Sequence, residues 1–391
     1  MNILIISFDA DPPYMGGVST VINTLAQGLI AKGHSLTLGY YAPTEHPSVF
    51  FSKKIQIATT NSNQLQEFSE NNTIHIIYNA LPINTNWILL KKYFPSSKII
   101  SAYHSRPQLN FFPLYSLMNI FYNSPNFFYK VYTLFKIPFL PIQKFKSQKK
   151  QKRKFLEMVQ YSDRILLLSS KFYPCLKKIV PSVDEKKLSA IPNPLVFKKI
   201  LSKDDIKNKK KKVLVVASSN HVKRIWLILK IWKEIEKDNN FNDWSFDFIG
   251  EGEDYPRLLN LANKLKLKRI QFHGYKNPEQ FYQEASIFLM TSKYEGWPMV
   301  LMECMQKGVV PIVYNSFESL TDIITDGYNG YIIPNNRSLV FIQKLKSLMQ
   351  NQNMRQEMSY NCTEICSRFS LENIINQFES LFQDILHEKR N

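Results

Sequence analysis

A chain of 391 residues exceeds what one hydrophobic core comfortably organises, so two domains of ordinary size are expected. Hydrophobic residues make up 44%, which excludes a disordered chain, and a formal charge of +18 directs attention to anionic partners. The four cysteines, Cys175, Cys304, Cys362 and Cys366, do not form two pairs with zinc-site spacing and read as reduced thiols of a cytosolic protein.

The first residues, Met1 to Asp9, lack the basic start and long apolar centre of a signal peptide, and Ile3 to Ser7 reads as a buried strand. Gly16-Gly17 follows in a loop. Val18 to Lys32 then has helical spacing and ends at Gly33, a C-terminal cap. Further buried strands are expected at Leu36 to Tyr40, Ile74 to Tyr78, Lys98 to Ala102 and Ile165 to Ser169. Strands alternating with helices predict an α/β chain, a parallel sheet with helices on both faces. Ile191-Pro-Asn-Pro194 and the lysine-rich stretch that follows it read as a linker over 191–212, closing a first domain of 1–190. The second domain, 213–372, repeats the habit with strands at Val213 to Ala217, Ser245 to Ile249, Ile270 to His273, Ile287 to Thr291 and Val310 to Val313. Residues 373–391 fall in an amphipathic helical stretch long enough to cross back onto the first domain. Nowhere does an apolar run reach the ~20 residues of a membrane span.

Five places carry chemistry. At Gly16-Gly17, a strand, a glycine loop and a helix put backbone amides at a helix N-terminus, where a phosphate can approach closely. G-x-G-x-x-G is absent, so the pair is no sign of a dinucleotide, and a plain turn is the bland alternative. Phe248-Ile-Gly250-Glu-Gly252-Glu253 and Phe272-His-Gly-Tyr275 are similar junctions at strand C-terminal ends, where backbone groups near Tyr275 could face a nucleobase; tight turns without a ligand explain them equally well. Lys223-Arg224, two cations after a strand, fit a diphosphate leaving group or simply a solvated face. The most informative stretch is Ser292-Lys-Tyr-Glu295-Gly296-Trp-Pro298-Met-Val-Leu-Met-Glu303. Pro298 suits the first turn of a helix. Glu295 then sits in the preceding loop and Glu303 about a turn and a half inside, with exposed amides between them as an anion seat. Acids on either side of that seat can grip hydroxyls flanking a diphosphate, which describes a nucleotide-sugar site.

The acidic pair in this context resembles the signature of family 4 retaining glycosyltransferases. Gly16-Gly17-Val18, Ile191-Pro-Asn193, Phe272-His-Gly274 and Asp326-Gly-Tyr-Asn-Gly330 before Tyr331-Ile-Ile-Pro334 also match, in the family's order and across essentially the whole chain. The resemblance implies a GT-B fold, two Rossmann-like domains with parallel sheets facing an interdomain cleft. It implies that Glu303 binds the ribose hydroxyls, that Glu295 lies against the donor sugar, and that the amides of Met299 and Val300 with Lys223 hold the diphosphate. Gly17 would approach the phosphate from the other domain, and His104, in Ser101-Ala-Tyr-His-Ser105, would be the active-site histidine, neutral near pH 7. The chain departs from the family at one point. The family usually carries an Arg a few residues before the lysine; Ser218-Ser-Asn-His-Val-Lys223 has none, and Arg224 follows instead. Either Arg224 substitutes, or Lys223 and amides act alone.

The resemblance further implies retention of configuration and chemistry with no metal and no cofactor, in which helix-end amides and Lys223 stabilise the departing diphosphate. Asp9-Ala-Asp11 sits in the first loop, away from the motif. Glu295 as a covalent nucleophile is the lesser role. Uridine diphosphate, carrying a hexose or N-acetylhexosamine, is the commonest donor of the family. Phe111 to Lys154 interleaves aromatics (Phe111, Phe112, Tyr115, Phe121, Tyr122, Phe127, Phe128, Tyr129, Tyr132, Phe135, Phe139) with a run of seven basic residues from Lys144 to Lys154. That composition suits an anionic membrane surface, and with it a peripheral enzyme on the inner face of the cell membrane, acting on a lipid-linked or saccharide acceptor. Aromatics in a core beneath a solvated helix are the alternative. No nucleic-acid module is present, so nucleic acid is not an expected partner. A non-catalytic membrane-bound scaffold and a synthase or phosphorylase of similar fold are the rival readings.

Overall fold

The computed structural model describes residues 1–11, 16–57, 62–109, 127–197 and 199–388. Its first sheet has seven parallel strands, β1 (Asn2–Ile6), β2 (Ser35–Tyr40), β3 (Lys53–Gln56), β4 (Ile76–Asn79), β5 (Lys98–Tyr103), β6 (Arg164–Leu167) and β7 (Leu188–Ala190), in the order β3-β2-β1-β4-β5-β6-β7. The second has six, β8 (Lys212–Val216), β9 (Ser245–Ile249), β10 (Ile270–Phe272), β11 (Ile287–Met290), β12 (Val310–Asn315) and β13 (Tyr331–Pro334), in the order β10-β9-β8-β11-β12-β13. The central strands are apolar runs buried on both faces, as parallel sheets covered by helices require. Three strands escape the sequence pattern. β3 is an edge strand with only Ile55 buried, β7 has three residues, and β13 buries only Tyr331 and Ile333.

Each sheet reverses its direction of winding once, between β1 and β4 and between β8 and β11. Such switch points open a crevice at the strands' C-terminal ends. The helices that matter here are α1 (Gly16–Ala31), α2 (Phe127–Lys136), α3 (Leu140–Tyr161), α4 (Lys203–Lys207), α5 (Glu279–Glu284), α6 (Met299–Gln306), α7 (Leu320–Ile323) and α8 (Leu371–His387). The two halves meet through one apolar cluster that includes Phe172 and Leu195 with Trp297, Phe317 and Leu320. Ion pairs add to it: Arg106 to Glu318 at 2.5 Å and Lys171 to Asp322 at 2.6 Å.

α8 buries Ile374, Ile375, Phe378, Leu381, Phe382 and Ile385 against Val21, Leu25 and Leu29 of α1. Gly28 makes that crossing close: a Cβ there would lie 2.5 Å from Ile375 Cγ1. The lysine-rich stretch before β8 is not a free tether. Ile206 of α4 is buried, and Lys209 Nζ donates to the carbonyls of Tyr282, Gln283 and Ala285. Burial lowers the Lys209 ammonium to about 7. A lysine can bury its stem while its ammonium caps carbonyl groups, as Lys209 does, and charge alone does not foretell this.

Candidate active site

Pro298 stands at the N-cap of α6 with φ −71° and ψ 106°, and the helix proper starts at Met299, one residue later than the proline rule places it. No side chain caps this end, so the N–H groups of Met299 and Val300 remain available while those of Leu301 and Met302 reach back to the Pro298 carbonyl. Across the cleft, α1 begins at Gly16, whose φ of +64° favours glycine. A Cβ on Gly17 would come 3.6 Å from Met299 Cγ. Two helix N-termini, one from each sheet, thus face each other, and both carry partial positive charge.

The charged groups gather beside them. Lys223 Nζ lies 2.6 Å from Glu295 Oε1. The loop bearing Lys223 is laced to the one bearing Glu295: Lys293 N–H donates to the Val222 carbonyl, and the Thr291 hydroxyl to the Lys223 carbonyl. Gly296 abuts the first domain, where an added Cβ would be 2.7 Å from Ser105 Cα and 2.9 Å from the His104 carbonyl oxygen. His104 Nε2 lies 3.2 Å from the Tyr78 hydroxyl, and its Nδ1 is buried with no partner among the described residues. Burial lowers the His104 imidazole to about 4, the neighbouring Asn193 side chain opposing, so the ring is neutral at pH 7. Glu303 accepts a hydrogen bond of 3.0 Å from the Tyr282 hydroxyl, and burial pushes its carboxyl up to about 7 against that bond.

His104, Lys223, Glu295, Gly296, Met299 and Gly17 are therefore brought together, with Pro298, Val300 and Glu303 on the same short helix. Others do different work. Arg224 does not join Lys223: its guanidinium donates to the Thr291 and Ser292 carbonyls and to Asn335 and Asn336 Oδ1, and lies over the Tyr314 ring. Each nitrogen of the planar fork donates to a loop oxygen, which favours the second of the two alternatives, Lys223 and amides acting without Arg224. Gly250 and Gly252 are explained by neighbouring backbone, since a Cβ would meet the Ala217 carbonyl oxygen at 1.9 Å and that of Ser219 at 2.6 Å. Tyr275 is exposed in the loop after β10. Asp9 accepts from Lys54 and the Ser48 amide, and Asp11 from Asn23 and the Val49 amide, so both acids hold the loop around Ser48.

Sequence reasoning missed three members of the neighbourhood. Asn193, quoted in Ile-Pro-Asn but given no role, donates to Met299 Sδ at 3.4 Å. Tyr78 and Tyr282 stand under His104 and Glu303. Only the strand-end position of Tyr78 offered a signal.

Residues 196–364 match the family model described as glycosyl transferases group 1. Among curated proteins, the chain is 24% identical over 235 residues to a Campylobacter jejuni alpha-1,4-N-acetyl-D-galactosaminyltransferase named with GalNAc-diNAcBac-PP-undecaprenol, covering 59% of this chain and 64% of that protein. It is 25% identical over 181 residues to the amylovoran biosynthesis glycosyltransferase AmsD of Erwinia amylovora, covering 46% and 50%. The chain spans about half to just under two thirds of the length of these curated relatives. A crystal structure of HepE from Anabaena in complex with UDP and glucose superposes with a TM-score of 0.73 at 13% identity, covering 98% of this chain and 100% of that one. The fold is GT-B. The family match lies on the second half of the chain, and together these likenesses support a glycosyltransferase of family 4 type.

Proposed function

We propose that this chain is a retaining, metal-independent glycosyltransferase. It moves a hexose or N-acetylhexosamine from a uridine diphosphate donor to a lipid-linked or saccharide acceptor in cell-surface polysaccharide synthesis. The observation that carries the reading is the convergence of two opposed helix N-termini, Lys223 and Glu295 at one point of the cleft, with Glu303 a turn further on. Those N-termini and one lysine supply the positive field a pyrophosphate needs.

In this reading the Met299 and Val300 amides, Gly16-Gly17 and Lys223 hold the diphosphate. Lys223 shares its charge between phosphate and Glu295, and Glu295 takes hydroxyls of the sugar. Glu303 accepts the ribose hydroxyls, and the loop at Tyr275 borders the base. His104 Nδ1, buried and without a protein partner among the described residues, meets a hydroxyl of the donor sugar. The bond from the anomeric carbon to the phosphate oxygen breaks and the bond to the acceptor oxygen forms on the same face. The acceptor's proton passes to the departing phosphate. No carboxylate nucleophile is needed. UDP and glucose in HepE and an undecaprenol-linked glycan in the Campylobacter name support the donor and acceptor classes.

The surface of α2 and α3 supports membrane docking. Phe128, Phe135 and Phe145 are 81%, 72% and 68% exposed, with Tyr132, Ile137, Phe139 and Ile142 also at the surface. Lys144 to Lys154 lie in α3 together with Ile142 and Phe145. Aromatics before Phe127 lie outside the described residues. An apolar patch bordered by cations fits the headgroup region of an anionic membrane on the cytoplasmic face. No helix among the described residues is long and apolar enough to cross a membrane.

A thermal-shift and hydrolysis screen of nucleotide sugars, with Glu303→Ala as control, tests the catalytic reading; absence of any nucleotide response in the wild type contradicts it. Co-sedimentation with anionic liposomes, strong at low salt and weakened at high salt, tests the docking; protein left in the supernatant at low salt contradicts that part.

A further inference from the structure

Glu303 is held from beneath by a residue that no motif points to. Tyr282, fully buried in α5, donates its hydroxyl to Glu303 Oε2 at 3.0 Å. A buried tyrosine hydroxyl takes a partner, and here the partner is the carboxylate of the acidic pair. Its ring sits edge-on to Phe197, from the segment joining the two halves, at 6.1 Å, and tilted against Phe288 at 6.4 Å.

The helix that carries it has six residues, too few to hold its shape without tertiary support. It is pinned along its length. Lys209 Nζ caps its last carbonyls, those of Tyr282, Gln283 and Ala285, at 2.8, 3.2 and 2.9 Å. Lys307 Nζ donates to Glu279 Oε1 at 2.8 Å and Lys212 Nζ to Glu284 Oε2 at 3.1 Å. The Phe281 ring meets that of His273, of Phe272-His-Gly274, with centroids 4.7 Å apart. Three lysines and a histidine thus fix a single turn and a half whose central tyrosine reaches one carboxylate.

We propose that Tyr282 is the positioning residue for Glu303: its hydroxyl fixes one carboxylate oxygen and favours the ionised form, leaving the other oxygen for the ribose diol, with α5 as the rigid mount. The inference rests on the reading of Glu303 as the ribose ligand. A carboxylate offers about four acceptor sites, so one bond to Tyr282 leaves room for two hydroxyls. Enclosure pushes the acid up, to about 7 with the tyrosine hydroxyl opposing it, and a neutral acid is the poorer acceptor.

The test is calorimetric titration of UDP between pH 5.5 and 8.5 into the full chain as wild type, Tyr282→Phe, Glu303→Gln and the double variant. Phenylalanine keeps the ring packing. At pH 7, Tyr282→Phe is expected to weaken UDP binding on the order of tenfold. The pH below which affinity falls is expected to move upward, and the substitution should add nothing to Glu303→Gln. Wild-type affinity in Tyr282→Phe, an unmoved pH midpoint, or an equal loss in both backgrounds overturns the proposal while leaving the nucleotide site intact. A wild type that binds no UDP at any pH overturns both. A second readout needs no variant: the buried Tyr282 hydroxyl proton is expected as a slowly exchanging resonance that shifts when Glu303 titrates and when UDP binds. A resonance blind to both contradicts the inference.

Discussion

Gly296→Ala is expected to separate nucleotide binding from turnover. A Cβ at this position would stand 2.7 Å from Ser105 Cα, 3.1 Å from Ser105 C and 2.9 Å from the His104 carbonyl oxygen. All three are backbone atoms, so none can rotate aside. Gly296 is not among the glycines with positive φ, and its own carbonyl accepts a buried 2.6 Å bond from the Ser319 hydroxyl. Gly296→Ala is therefore a steric wedge and not a backbone strain. Ordinary contact requires the loops to part by about 0.7 Å, which widens the gap between Glu295 and His104. Overpacking of this kind costs about 1–3 kcal/mol, which a two-domain chain survives. A misplacement approaching 1 Å at reacting groups costs about a hundredfold in rate. The expected result is kcat reduced by about a hundredfold with UDP affinity within a few-fold of wild type, because Lys223, the Met299 amide and Glu303 all belong to the second half. Coupled release of UDP from a UDP-hexose, with UDP titration beside it, makes the comparison. Wild-type turnover in Gly296→Ala, or UDP binding lost as fully as turnover, would refute the geometry.

Lys223→Ala and Glu295→Gln should each lower turnover well over tenfold with little change in melting temperature, measured by the same release assay. Arg224→Lys, which removes the planar fork from four oxygen acceptors, should cost about 2 kcal/mol in denaturant unfolding and leave UDP affinity near wild type; unchanged stability with collapsed UDP binding would return Arg224 to the phosphate. His104, lowered to about 4 by burial, takes a proton in the unfolded chain near its ordinary value of about 6.5 but not in the folded one. Stability then falls as pH drops through that window. His104→Asn should flatten this part of the melting curve measured from pH 7 to 4.5; an unchanged slope contradicts a buried neutral ring.

Much of the sheet framework was legible because parallel strands such as Ile3-Leu-Ile-Ile6 and Ile287-Phe-Leu-Met290 are buried on both faces and read as apolar blocks. β3 was not, since Lys53-Lys-Ile-Gln56 lies at an edge and buries a single side chain. Within the site, the signal was strongest where chemistry lies along the chain. Glu295, Pro298 and Glu303 share one loop and one helix, so spacing alone orders them. It failed where contacts are distant in sequence. That Gly296 needs no side chain because Ser105 is there, or that Arg224 is held by Thr291 and Asn336, depends on pairings 67 to 191 residues apart. The same limit hid Tyr282, which carries no motif of its own and acquires its place only when α5 is clamped by Lys209, Lys212 and Lys307. The linker shows the same limit: Lys209 reads as one more charge in a lysine-rich stretch until its ammonium is seen to cap the carbonyls of Tyr282, Gln283 and Ala285.

The most direct measurement is amide hydrogen exchange with and without UDP. Occupied helix ends slow exchange where N–H groups meet the diphosphate, so new protection is expected at Met299 and Val300 and in the first turn of α1 from Gly16, and should vanish in Lys223→Ala and Glu303→Ala at the same UDP concentration. Protection confined to other segments, or none at saturating UDP, contradicts a diphosphate seated between the two helix N-termini.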